Sequence, residues 1–178
     1  KLASNGDVDV TAVSLGKNQT LIAAVDANWK LGSPVDTVLQ IVSTSGAVVA
    51  QVDDDHGFDP LIAFTAPTDG TWYVRVFGFP ATPNSSIRFS GGAEYVYRLT
   101  LTTGPFVNHT VPSAVSEVSD ETVRLVGWNL SDELQQPIAP EREPIRQVTH
   151  QLLPQSVDVD AVTGPVAVAE EPCDRTKP

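Results

Sequence analysis

Several common ingredients are scarce or missing in this chain. Methionine is absent from all 178 residues, and cysteine occurs once, as Cys173. A chain that opens Lys1-Leu2-Ala3-Ser4 without an initiator reads as an excerpt or a processed product, so no targeting signal is expected to be visible in it. A single cysteine excludes a disulfide within the chain and a zinc centre built from several thiolates of one copy. Pairing of Cys173 with a cysteine elsewhere stays open. No apolar run is long enough to cross a bilayer as a helix. Cations are few: 11 Lys and Arg stand against 22 Asp and Glu, for a net charge of −11. A surface so acidic repels nucleic acid and anionic membranes. It suits divalent cations, although the plainer reading is a well-solvated exterior.

What is present is globular in composition, with 41% hydrophobic and 19% charged residues. A sustained helical period is also missing, and strand signals take its place. Val8, Val10 and Ala12 alternate with Asp9 and Thr11, the period-two pattern of a half-buried strand. On that pattern Asp7 and Asp9 are expected to face away from the core. Thr20 to Val25 follows a Gly16-Lys17-Asn18 turn. Val38 to Val42 and Ala47 to Val52 flank Ser43-Thr44-Ser45-Gly46 and read as a hairpin. Leu61 to Phe64 is a short apolar strand. Thr71 to Phe77 is another, with Trp72, Val74 and Val76 on one face and Tyr73, Arg75 and Phe77 on the other. A loop rich in Pro, Ser, Asn and Gly runs from Gly78 to Gly92. The clearest alternation then follows from Tyr95 to Leu101. About eight short strands separated by turn signals predict an all-β sandwich.

Gly104-Pro105 marks a boundary. Beyond it, Thr122 to Leu125 is a strand entering Gly127-Trp128-Asn129-Leu130, and Val148 to Leu153 and Val157 to Val168 give weaker strand signals. The prolines between Pro137 and Pro144 exclude a central strand there. The predicted organisation is a β-sandwich over 1–103, a smaller β domain over 104–168, and a polar linker over 169–178. Sequons at Asn18, Asn84, Asn108 and Asn129 are short enough to arise by chance.

Taken in order, one set of fragments forms a pattern. Gly6-Asp7-Val8-Asp9-Val10, Asp36-Thr37-Val38-Leu39-Gln40-Ile41, Asp53-Asp54-Asp55, Asp59-Pro60, Phe64-Thr65-Ala66-Pro67, Asp69-Gly70-Thr71-Trp72-Tyr73-Val74-Arg75-Val76 and Tyr97-Arg98-Leu99-Thr100-Leu101 resemble the bacterial pre-peptidase C-terminal domain over residues 1–103. The resemblance implies a jelly-roll-like β-sandwich attached to secreted proteases and other exported enzymes. Some such domains resemble carbohydrate- or collagen-binding modules, and some bind calcium. Residues 104–168, with Gly127 to Leu130, resemble the small immunoglobulin-like segment that follows this module in planctomycete-type multidomain extracellular proteins. The tail Glu170-Glu171-Pro172-Cys173-Asp174 resembles the opening of a further repeat.

The sharpest candidate for chemistry is the acidic run Asp53-Asp54-Asp55, with Asp59 close behind and Asp36 ahead of it. Calcium takes six to eight oxygens, which an inter-strand loop supplies as carboxylates and carbonyls, so these five residues are candidate ligands of a structural Ca2+. The spacing is not that of an EF-hand loop. The alternative is that Asp53 and Asp59 cap turns through backbone N–H groups. Adjacent aspartates on one loop do not make the separated pair a glycosidase needs. His56, His109 and His150 lie in loops or weak segments, and no serine sits in a Gly-x-Ser-x-Gly elbow. The chain is therefore expected not to be an enzyme.

Among aromatics, Trp29 stands in polar Asn28-Trp29-Lys30 and is a candidate ligand contact, as is Phe79, which with Phe77 and Phe89 flanks the long loop. The alternative is that the loop folds back and buries the phenylalanines. Trp72 and Tyr97 are expected to be buried, and Trp128 to pack the second domain. The expected role is a non-catalytic binding or spacer module of a secreted or cell-surface bacterial protein. Its expected partners are other domains or repeats of the same polypeptide, a polysaccharide or extracellular protein polymer, or a second copy, and not nucleic acid. A structural repeat of an extracellular assembly is the alternative.

Overall fold

The computed structural model describes residues 1–82, 84–85, 88–118, 120–130, 135–138, 145–149, 153, 157–163 and 166. His150, Cys173, the Pro140–Pro144 stretch and the polar tail lie outside these residues. The described residues are nearly all β, with two compact units, Lys1–Thr103 and Gly104–Pro178.

The first unit holds strands β1 (Asp9–Leu15), β2 (Thr20–Asp26), β3 (Val35–Val42), β4 (Val48–Val52), β5 (Leu61–Thr65), β6 (Gly70–Pro80) and β7 (Arg98–Thr102), with a four-residue helix, α1 (Asn28–Leu31), after β2. They form a four-stranded antiparallel sheet in the order β1-β6-β3-β4 and a three-stranded one in the order β5-β2-β7. The two-residue period of each strand sends alternate side chains between the sheets. Leu21, Ala23 and Val25 of β2, with Ile62 of β5, meet Val35, Leu39 and Ile41 of β3 and Trp72, Val74 and Val76 of β6 in one buried cluster. Each such Leu, Ile or Val stabilises by about 1.5–3 kcal/mol on full burial. Phe64 packs edge-on against Trp72, their ring centroids 4.8 Å apart.

Two expectations need correction. The strand expected to begin at Tyr95 enters the ladder only at Arg98, opposite Asp26, because β2 ends there and turns into α1. Tyr97 lies just before it, partly buried against the core. In β1 the faces are reversed. Val13 pairs with Trp72 and packs on the core, so Asp9 and Thr11 share its inner face, while Val10 and Ala12 point outward. Val10 is 56% exposed, and the Asp9 carboxylate accepts a 2.5 Å hydrogen bond from the Tyr97 hydroxyl. The register of an edge strand is set by the residues that reach the core, here Val13 and Leu15, and not by the longer alternation upstream.

The second unit contains β8 (Phe106–Val111), β9 (Ala114–Ser116), β10 (Glu121–Trp128), β11 (Gln135–Ile138), β12 (Ile145–Val148) and β13 (Val157–Val162). These make two three-stranded sheets, ordered β11-β10-β8 and β12-β13-β9. Their core comprises Val107, Val115, Val123, Leu125, Ile138, Val148, Val157 and Val159. Pro137 lies on β11, an edge strand, where a missing N–H is tolerated. The Gly-Trp-Asn-Leu stretch has a local physical reason. The β10–β8 register shifts at Val126/Gly127, and a Cβ on Gly127 would stand 2.0 Å from the Phe106 carbonyl oxygen. Trp128 then packs against Phe106 at 6.4 Å, and Asn129 turns the chain with φ of 54° while its side chain donates to the Gly104 carbonyl.

Candidate functional site

At one end of the first unit the chain builds a small, fixed platform. After β4, the segment through Asp59 folds on itself: His56 and Asp59 exchange backbone hydrogen bonds of 3.1 and 3.4 Å, and Gly57 takes a φ of 65°. The Phe58 carbonyl is tied to β3 by the backbone N–H and hydroxyl of Thr37, at 3.3 and 2.9 Å. This delivers the Asp59 carboxylate, only 4% exposed, beneath α1. One carboxylate oxygen accepts from the N–H groups of Ala27 (3.0 Å) and Trp29 (3.1 Å), the other from that of Asn28 (2.7 Å).

A helix leaves its first N–H groups without partners, and Ala27 at the N-cap has no side chain to supply one. Asp59 supplies the cap from some thirty residues away. The other end is closed by Gly32, with φ of 64°, whose N–H reaches the Asn28 carbonyl. The Asn28 amide bonds the Ser33 carbonyl, and the Ser33 hydroxyl bonds the Glu94 carbonyl. One turn of helix has no intrinsic stability, so these partners hold it.

The platform carries Trp29, 77% exposed. In the order β5-β2-β7, α1 continues the central strand, Phe58 precedes β5 and Val96 precedes β7. Leu31, Phe58 and Val96 at this end are also exposed. Nearby charges are already paired: Asp26 receives the Arg98 guanidinium at 2.6 and 3.0 Å and lies 3.5 Å from the Lys30 ammonium. The site thus offers an exposed aromatic ring on a backbone turn that is held in place, with paired charges of Asp26, Lys30 and Arg98 nearby. Such a surface suits stacking on a sugar ring or an apolar contact with a polymer.

The other candidates fall elsewhere. Asp59 is consumed by the cap, the alternative given for it above, and Asp55 pairs with His56 at 2.7 Å. Asp36, on β3, feels Asp54 and Asp53 across the β3–β4 edge. Partial burial first, and the charges of Asp54 and Asp53 second, hold its carboxyl above the usual carboxylate range. Among the described residues no group of three or more His, Cys, Asp or Glu side chains is placed to hold a metal ion. Of the five candidate calcium ligands, Asp59 is engaged by the α1 cap and Asp55 by His56, while Asp53 and Asp54 act on Asp36. Phe79 packs edge-on against Phe77 at 6.3 Å and Phe89 at 5.5 Å, and those two stack at 4.3 Å. The Ser90 N–H donates to the Gly78 carbonyl at 2.8 Å, which brings Phe89 back beside Phe77 and Phe79.

The sequence reading singled out Trp29 but missed what positions it. Gly32 was the available signal, a glycine one residue past a four-residue stretch, but a single turn is too short to show a helical period. Leu31, Phe58 and Val96 carry no pattern of their own.

The first unit is thus an all-β unit of two sheets with a solvent-facing tryptophan at one end. Residues 7–78 match the family described as the bacterial pre-peptidase C-terminal domain. The chain is also 33% identical over 70 residues to a probable subtilase-type serine protease of Deinococcus radiodurans, an alignment covering 39% of this chain and 10% of that protein. The chain thus spans about a tenth of the length of the relative it matches. Among the described residues no helix is long and apolar enough to cross a membrane.

Proposed function

We propose that this chain is a non-catalytic accessory module of a secreted or cell-surface bacterial multidomain protein, and that it contacts its ligand through Trp29. The observation that carries this reading is the exposed indole on α1, a helical turn whose backbone N–H groups are capped by the buried Asp59 carboxylate. Tryptophan presents a large apolar face with one polar N–H, and it is among the residues enriched at the energetic centres of binding interfaces. The family match over residues 7–78, and a relative named as a protease, support attachment to an exported hydrolase. In this reading residues 104–168 are an immunoglobulin-like spacer of the kind found in planctomycete-type proteins.

The test is retention. The intact chain is run in native gels with and without soluble polysaccharide, and co-sedimented with fibrous collagen. Retardation by one polymer that Trp29→Ala abolishes, with an unchanged melting temperature, is the expected result. Binding that Trp29→Ala leaves intact would reject this contact, and no retention by any polymer would favour the spacer role. The second reading, a structural repeat of an extracellular assembly, is supported by the bare strand edge considered next.

A further inference from the structure

The first unit has four sheet edges, and they are not equally protected. Unpaired edge backbone is a template for another strand, and proteins blunt it with bulges, charges, prolines or short strands. Strand β4 carries a bulge, since Ile41 pairs with Ala50 and Val42 with Val48, leaving Val49 extra, and it runs into Asp53-Asp54-Asp55. Strand β5 is five residues long and bracketed by Pro60 and Pro67. Strand β7, equally short, opens on Arg98.

Strand β1 has the fewest of these devices: like β7 it opens on a charge, the inward-facing Asp9, but it is longer and carries neither bulge nor proline. Its seven residues pair with β6 in one unbroken register, from Asp9↔Val76 to Leu15↔Gly70. It has no proline, and no charged residue between Val10 and Leu15. Beyond β6, the main chain of Asp9–Leu15 makes no hydrogen bond among the described residues. Its outward side chains, Val10, Ala12 and Ser14, are exposed, small or apolar.

We infer that β1 is a self-pairing edge, and that its occupant is β1 of a second copy, joined antiparallel about a two-fold axis at Ala12. The commitment to a second copy rests on how the sequence Asp9-Val10-Thr11-Ala12-Val13-Ser14-Leu15 complements itself. Pairing about Ala12 sets Ala12 opposite Ala12, Thr11 opposite Val13, Val10 opposite Ser14 and Asp9 opposite Leu15. The β-branched pairs are those antiparallel sheets favour, the smallest side chain lies on the axis, and the one charge of the strand meets no like charge. The two four-stranded sheets become one sheet of order β4-β3-β6-β1-β1-β6-β3-β4. Such closed, isologous pairing is the commonest symmetry of soluble assemblies.

Opposing this contact is the net charge of −11 on each copy. The repulsion is long-ranged, and salt screens it, the Debye length falling from about 10 Å at 0.1 M to about 3 Å at 1 M. Seven residues of edge are also less than a standard interface of roughly 1,200–2,000 Å². The dimer is therefore weak and strengthened by salt.

Sedimentation equilibrium of the intact chain, up to about 0.5 mM on the weak-affinity scale implied by so small an interface, reads it directly. The expected result is a weight-average mass rising from 19.0 kDa towards twice that value with concentration, and rising further in 0.5 M NaCl. Ala12→Lys puts two ammonium groups face to face on the axis while reducing the overall repulsion, so it should return the chain to monomer. Val49→Lys, on the bulged edge, should leave association unchanged. Should Ala12→Lys fail to fold by circular dichroism, Ser14→Lys takes its place. A chain that stays monomeric at high salt overturns the inference. So does a dimer that ignores the lysine on β1, or one that both lysine variants weaken alike.

Discussion

Single carboxylates of similar sequence context do different work in this molecule, and their surroundings decide which. Asp59 is nearly inaccessible yet supplied with three N–H donors, whereas the Asp36 carboxylate has no donor among the described residues and two negative neighbours. For Asp36 the sign of the linkage follows directly. A carboxyl whose folded pKa lies above its unfolded value of 3.8 binds its proton more tightly in the folded state. It therefore costs stability when ionised, and stability falls as pH rises from 3.8 through the raised value. Asp36→Asn, which forfeits no hydrogen bond, should raise the melting temperature at pH 7 and lose that advantage below pH 3.8. A variant that melts lower at pH 7, or that gains equally at both pH values, would contradict the account of the acidic loop. Tyr97 behaves alike in direction. Burial, its bond to Asp9, and the Asp9 and Asp7 charges hold its hydroxyl well above the ordinary tyrosine value, so it stays protonated as the donor that ties β1 to the segment before β7.

Among the elements, α1 shows most plainly what a sequence does and does not reveal. A four-residue helix has no period to detect, and its cap comes from Asp59, thirty residues away, so nothing local announces it. Because the cap is buried and charge-assisted, Asp59→Ala leaves three N–H groups without partners. It should destabilise the first unit by about 3 kcal/mol or more, read by chemical denaturation. A loss under about 0.5 kcal/mol, the range of an ordinary surface change, would show that α1 holds itself. The strands were far more legible. In β2, β3 and β6 the apolar and β-branched residues are dense because these are the inner strands of their sheets, β3 being buried along nearly its whole length. Edge strands gave less. The face of β1 was read inverted, since its outward Val10 and Ala12 mimic a buried row, and the start of β7 was set by where β2 ended, which is a tertiary matter. Trp29 was visible by its polar surround, while Phe58 and Val96 come to the same end of the sheet only through the order of the strands.

On the scale of the whole molecule, the described residues present two compact β units, of which the first matches the bacterial pre-peptidase C-terminal domain over residues 7–78 and carries the exposed Trp29 at one end. The acidity of the chain keeps copies apart at long range, and the least protected edge, β1, acts only where that repulsion is screened. Contact with a ligand is assigned to the Trp29 end and contact with a second copy to the edge, so the two are separable by mutation. The central claim is that Trp29 meets the ligand, and the three tryptophans make it measurable. Trp72 is buried in the core, Trp128 is packed on Phe106, and Trp29 stands in solvent. Iodide quenching of the tryptophan emission, with and without the soluble polysaccharide or collagen, reports on it. Protection of a readily quenched component on addition of one polymer, absent in Trp29→Phe, is the predicted result. Unchanged quenching while that polymer is bound would place the contact elsewhere on the molecule and contradict the account.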